Sequence, residues 1–163
     1  MRFVIVTGIS GAGKSTALKF LEDAQYFCVD NLPILLLEKF ASMTLSMNSE
    51  EIRNVALGVD VRSGQQLGDL EEILKKMRKQ GYQYEILFLD ASDEVLIKRY
   101  KESRRNHPLA PDGRVDEGIR LERRRLEFLR NQADYIINTS RMLTRELRKE
   151  IVRIFVDNQD FRS

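Results

Sequence analysis

The feature that most narrows the possible folds is a short apolar run that ends in a glycine-rich turn. Phe3-Val4-Ile5-Val6-Thr7 reads as a buried strand, and Gly8-Ile9-Ser10-Gly11-Ala12-Gly13-Lys14-Ser15 follows it at once. The glycines at 8, 11 and 13 permit backbone conformations that other residues avoid. Helical spacing resumes from Lys14 to Glu22. A strand that turns through glycines straight into a helix is the opening unit of an α/β fold.

The rest of the chain repeats that alternation. Tyr26 to Val29 is a second strand, followed by a helix from about Pro33, a residue suited to a first helical turn. Asn54 to Val59 is a third strand. Leu67, Leu70, Ile73, Leu74 and Met77 mark one helical face, closed by Gly81 as a left-handed cap. Glu85 to Leu89 is a fourth strand. Ser92 is an N-cap for the next helix, with Asp93 and Glu94 in its first turn. A polar hinge at Asn106 to Asp116 leads into an arginine-rich helix ending near Asn131. Tyr135 to Ile137 is a fifth strand, and Leu143, Leu147, Ile151, Ile154 and Phe155 mark the last helix. Apolar strands alternating with helices predict a parallel five-stranded sheet covered on both faces, a three-layer α/β/α fold in a single domain over 1–163.

The turn itself carries chemistry. Gly8 to Ser15 fits G-x-x-x-x-G-K-[ST], the Walker A or P-loop pattern. Glycines let successive N–H groups point at a polyphosphate, Lys14 sets a charge on the terminal phosphates, and the Ser15 hydroxyl is a Mg²⁺ ligand. The helix N-terminus adds its positive end. The expected ligand is ATP or GTP with Mg²⁺, held by Gly8, Ile9, Ser10, Gly11, Ala12, Gly13, Lys14 and Ser15.

Strands two, three and four each lead into an acid: Asp30, Asp60 and Asp90. In a parallel sheet these share the edge that carries the loop, so one of them is expected to serve Mg²⁺. Asp60 is the first choice, because Arg62 and Ser63 follow it and can meet an anion or a base. Asp90 precedes Ser92 and equally suits a role at that helix start, and Asp30-Asn31 before Pro33 equally suits a turn. Lys14 and Asp60 are the catalytic candidates, and Ser15 and Asp60 the metal ligands.

Arginines crowd both sides of the hinge: Arg99, Arg104 and Arg105 before it, Arg120, Arg123, Arg124 and Arg125 after it. The layout is similar to the lid of small P-loop kinases, where arginine neutralises the transferred phosphoryl group. Most of these arginines are expected to pair instead with Glu102, Glu117, Glu122 and Glu127 on solvated faces, Arg104 and Arg105 excepted. His107, the one histidine, reads as a turn residue beside Pro108. One Cys and one His cannot build a zinc-type site. The lone Cys28 excludes an internal disulfide and points to a cytoplasmic home. No apolar stretch nears the roughly 20 residues of a membrane span. The net charge of +2 gives no global pull toward nucleic acid.

Longer strings are more specific than the loop. Phe27-Cys28-Val29-Asp30-Asn31-Leu32-Pro33, Asp60-Val61-Arg62-Ser63, Arg104-Arg105-Asn106-His107-Pro108-Leu109 and Leu121-Glu122-Arg123 resemble the RapZ/YvcJ family of bacterial nucleotide-binding proteins, and the resemblance runs to Thr139-Ser140. It implies ATP binding at Gly8 to Ser15, GTP binding at Asp60 to Ser63 (Asp60, Val61, Arg62 and Ser63), and weak hydrolysis. It also implies a link to RNase adapter proteins that serve amino-sugar control. Gln25 stands where many relatives have glycine, and Asn138 where aspartate is usual. Family members continue into a C-terminal domain tied to RNA and amino-sugar phosphates, so this chain resembles an N-terminal domain, with RNA or an RNase as partner only through the other one. A small-molecule kinase and an RNA-binding adapter module are the rival readings, and oligomeric state is left open.

Overall fold

The computed structural model describes residues 2–46, 54–59, 64–103, 109 and 114–157. Five strands, β1 (Arg2–Gly8), β2 (Phe27–Val29), β3 (Asn54–Gly58), β4 (Glu85–Asp90) and β5 (Tyr135–Asn138), form one sheet in the order β2-β3-β1-β4-β5. Every pairing is parallel. The helices are α1 (Lys14–Asp23), α2 (Leu37–Ser46), α3 (Gly64–Lys79), α4 (Asp93–Ser103), α5 (Val115–Gln132) and α6 (Thr144–Phe155). Helices α1 and α6 pack on each other, while α3 packs on α2 and α5. The result is the three-layer α/β/α fold expected from the alternation.

Burial follows from that layering. β1 and β4 lie between two neighbours each and are buried along nearly their whole length, hence their unbroken apolar runs. Apolar positions of the helices are buried in the core shared with the strands, as with Leu70, Leu74 and Met77 of α3. The helix expected from Pro33 begins as one 3₁₀ turn, Ile34–Leu36, before α2.

Two helices end in the same way. After α3, Gly81 takes φ +82°, its N–H meets Arg78 O at 3.0 Å, and Tyr82 N–H meets Met77 O at 3.0 Å. After α1, Gln25 takes φ +71°, with Gln25 N–H to Glu22 O and Tyr26 N–H to Leu21 O, both at 3.0 Å. This double bond pattern is the Schellman cap, whose left-handed residue is best served by glycine. The departure at Gln25 therefore falls where a side chain carries a backbone cost.

At the other end of the strands, Arg2 joins distant elements. Its Nε and Nη2 donate to Glu85 at 2.9 and 2.7 Å, and its Nη1 donates to Ile154 O at 2.8 Å. Both side chains are buried, and this set of bonds is what makes a buried pair tolerable.

Candidate functional site

The glycine loop leaves β1 at the centre of the sheet, where one crossover runs from β1 to β2 on one side and a later one from β3 to β4 on the other. In open parallel sheets ligands bind at such a switch point, outside the strand C-termini. The loop is pressed against β4: Ile9 N–H donates to Leu89 O at 3.0 Å, and a Cβ on Gly8 would lie 2.3 Å from that same oxygen. Gly8, Gly11 and Gly13 have φ of +148°, +89° and +112°. Each glycine is thus required by its backbone, and the turn ends as Ala17 N–H meets Gly13 O at 2.9 Å to begin α1. Lys14 is half-buried and Ser15 exposed in the first turn of α1.

Side chains from three other elements hold the loop. Thr139, buried after β5, donates its hydroxyl to Ala12 O at 2.7 Å. Arg99 of α4 donates to Gly11 O at 2.9 Å and to Thr139 O at 2.9 Å. Glu122 of α5, only 3% exposed, accepts the Ser10 N–H at 2.9 Å and the Ser10 hydroxyl at 2.6 Å. Sequence reasoning missed these roles. It placed Glu122 among surface partners for arginines, and only its position on the inner face of α5, beside Leu126 and Leu129, signals otherwise.

Of the three candidate acids, Asp30 and Asp90 lie at the strand C-terminal edge, and Asp60 to Ser63 fall outside the described residues, as do Arg104, Arg105 and His107. Asp30 is exposed and accepts the Asn31 N–H at 2.8 Å, with Asn31 at φ +55°, which is the turn geometry. Asp90 is buried and fully engaged: Arg123 Nη1 at 2.8 Å, Arg130 Nε at 3.3 Å, and the Ala91 N–H at 2.8 Å. It holds α5 rather than the start of α4. Ser92 does cap α4, accepting the Val95 N–H at 3.4 Å. Arg123 also bonds Asp93 at 2.6 Å, so its partners are aspartates of β4 and α4 rather than glutamates on its own helix. Burial opposes the Arg123 charge, yet the Asp90 and Asp93 carboxylates hold its guanidinium above the ordinary range.

Among the described residues no three His, Cys, Asp or Glu gather to hold a metal. Mg²⁺ does not need such a cage, because it keeps its waters and takes one or two protein oxygens beside substrate phosphates. The exposed Ser15 hydroxyl at the start of α1 fits that requirement. A cavity of about 280 Å³ adjoins the loop, with Thr16, Arg99, Met142 and Leu143 in its walls. A larger cavity of about 460 Å³, between Arg2, Arg78 and Tyr84, lies at the strand N-terminal edge, away from the loop. No described helix is long and apolar enough to cross a membrane.

Solved structures of other proteins share this fold. Among solved structures, shikimate kinase from Acinetobacter baumannii is similar over 98% of this chain and 95% of that one, with a TM-score of 0.64 and 19% identity. YorR from Bacillus subtilis, in complex with phosphorylated GDP, gives a TM-score of 0.56 at 15% identity, covering 99% of each chain. These likenesses show the P-loop kinase-like fold. A "Nucleotide-binding protein" from Lachnoclostridium phytofermentans is 61% identical over all 163 residues, which make up 57% of its own length. Another from Agathobacter rectalis is 55% identical over 163 residues, 56% of its length. The chain thus spans little more than half the length of these curated relatives. A family model described as RapZ-like N-terminal domain matches residues 1–159. With that match and these relatives, the chain belongs to the RapZ-like N-terminal domain family.

Proposed function

We propose that this domain binds ATP or GTP with Mg²⁺ in the Gly8–Ser15 cradle, hydrolyses it slowly, and serves as the regulatory part of an RNase adapter-type protein linked to amino-sugar control. The observation that carries the reading is the loop itself. Left-handed glycines turn the backbone between a central parallel strand and the N-terminus of α1, with Lys14 and Ser15 in its first turn. The names of the full-length relatives support nucleotide as the ligand, and the neighbouring cavity offers room for a nucleoside. Lys14 would meet the terminal phosphates, Ser15 and Asp60 would hold Mg²⁺, and Asp60 to Ser63 would contact GTP. Bound Mg²⁺ would neutralise charge developing on the phosphates. Partners such as RNA or an RNase belong, in this reading, to the part of the longer relatives that this chain does not cover, and the domain works in the cytoplasm.

Calorimetric titration with ATP, GTP and their diphosphates, with and without Mg²⁺, tests the reading. Lys14→Ala removes a charge-assisted contact worth about 1.5–3 kcal/mol. It should therefore weaken triphosphate binding at least tenfold while the melting temperature is kept. Unchanged affinity in a folded variant removes the site.

The kinase fold favours a second reading, transfer to a small-molecule acceptor. A kinase must hold an acceptor in line with the terminal phosphate. Here Arg123 and Arg130 are committed to Asp90. Slow release of inorganic phosphate, below the roughly 1–100 s⁻¹ of kinases, is expected with every sugar, monophosphate or shikimate-like acid tried. An acceptor that raises turnover a hundredfold and carries the phosphate would install the kinase instead.

A further inference from the structure

The helices on either side of residues 104–113 each place one charged side chain on the glycine loop, and the two contacts fall on consecutive residues. From α4, Arg99 donates to Gly11 O at 2.9 Å, while the same guanidinium donates to Thr139 Oγ1 at 3.2 Å and Thr139 O at 2.9 Å. From α5, the Glu122 carboxylate takes both donors of Ser10, at 2.9 and 2.6 Å. The two helices are also joined to each other, since Arg123 bonds Asp93 in the first turn of α4 as well as Asp90 at the end of β4. A carboxylate as buried as Glu122 is costly unless its oxygens are occupied, and Ser10 occupies both.

We propose that Arg99 and Glu122 are positioning residues for polyphosphate binding: they fix Ser10 and Gly11 from opposite ends of the 104–113 segment and couple the shape of the cradle to the placement of α4 and α5. The proposal rests on the reading of Gly8–Ser15 as a phosphate cradle. Loops rich in glycine lose much entropy when a ligand orders them, and a loop already held in shape avoids that loss at binding. Here the backbone of Ser10 and Gly11 is held by side chains whose own positions depend on the helix pair. Coupling of this kind is reciprocal. Whatever α4 and α5 do to the loop, an occupied loop does to α4 and α5, so nucleotide occupancy is reported to that helix pair. Neither residue touches the reacting atoms. Glu122 in fact keeps the Ser10 N–H for itself and leaves the phosphates to the amides that follow.

The test compares wild type with Glu122→Ala, Glu122→Gln and Arg99→Lys. Three quantities are read: amide exchange of residues 8–15 without ligand, calorimetric affinity for Mg-ATP, Mg-GTP and tripolyphosphate, and melting temperature. In Glu122→Ala, exchange at 8–15 should speed up at least tenfold. Affinity for triphosphates and for tripolyphosphate should fall together by tenfold or more, because the change lies in the phosphate cradle. Glu122→Gln keeps one acceptor and should fall between. Arg99→Lys cannot span Gly11 O and Thr139 O as the forked guanidinium does, and should move the same way. Nucleotide should slow exchange around residues 119–123 in wild type and not in Glu122→Ala. Wild-type exchange at 8–15, or affinity within twofold, in folded Glu122→Ala overturns the proposal. If that variant does not fold, Glu122→Gln and Arg99→Lys decide by the same criteria. If wild type binds neither nucleotide nor tripolyphosphate, the nucleotide reading fails. The ligand-free exchange then decides alone whether Arg99 and Glu122 hold the loop, and unchanged rates refute it.

Discussion

Asp90→Asn separates two jobs that an acid at the end of a P-loop strand can do. The Asp90 side chain is 9% exposed and faces Arg123 at 2.8 Å, Arg130 at 3.3 Å and the Ala91 N–H at 2.8 Å. Asparagine keeps an acceptor for the amide and loses the charge. The bond to Arg123 is charge-assisted and largely shielded, a class worth about 1.5–3 kcal/mol. The contact to Arg130 is half exposed and falls among surface pairs worth about 0–1 kcal/mol. Arg123 retains Asp93, so it is not left without a partner. The loss should therefore come to about 2–3 kcal/mol. For a domain of this size each kcal/mol moves the melting temperature by about 2–4 °C, so a drop of about 5–10 °C is expected. Metal dependence of nucleotide binding should survive. Calorimetric melting, together with titrations at several Mg²⁺ concentrations, reads both quantities. Asp60→Asn, run in parallel, should show the reverse, with stability kept and the gain from Mg²⁺ lost. If Asp90→Asn melts like wild type and alone abolishes the effect of Mg²⁺, the roles have been assigned to the wrong aspartates.

Two further expectations rest on single residues. Gln25→Gly should raise stability by up to about 1 kcal/mol, because it relieves a left-handed side chain at the α1 cap; a loss in urea unfolding would show that the Gln25 side chain matters more than its backbone. Burial, reinforced by Glu22, lifts the Cys28 thiol to about 11, so it should resist alkylation at pH 8 in the folded protein. Because the folded value is the raised one, the contribution of Cys28 to stability is complete below the unfolded pKa and is lost as pH climbs through about 11. Cys28→Ser should flatten that alkaline decline, and an unchanged pH profile would assign the decline to Tyr26, also pushed up, to about 12.

What the sequence made legible was whatever depends on neighbours along the chain. The apolar runs of β1 and β4, the stripe of α3, the Gly81 cap and the glycine loop all follow from local spacing and backbone preference. The parts that stayed hidden are long-range. Glu122 meets Ser10 across 112 positions and Arg99 meets Gly11 across 88, and no helical period reveals such a pairing. The arginine-rich helix misled for the same reason. Glutamates at helical spacing offered partners for Arg123, whereas the fold supplied Asp90 and Asp93, one of them already buried and in need of a counter-charge. Strand order was equally out of reach, since alternation fixes parallel pairing but not which strand takes the centre.

The central place of β1 also shapes how the chain is made. During synthesis β1 has no neighbour in the sheet until residues 54–58 arrive on one side and 85–90 on the other. Arg2, fixed at the start of that strand, finds Glu85 after 83 further positions and Ile154 after 152. During synthesis at about 5–20 residues per second, the nascent apolar strand must therefore wait several seconds for its partners, and the last waits for α6. The contacts on the glycine turn come later than the strand pairings, from Arg99, Glu122 and Thr139, so the turn is held in shape only late in translation of this domain. A chain cut before α6 would keep the pairing of β1 with β3 and β4 and lose the bond from Arg2 to Ile154 O.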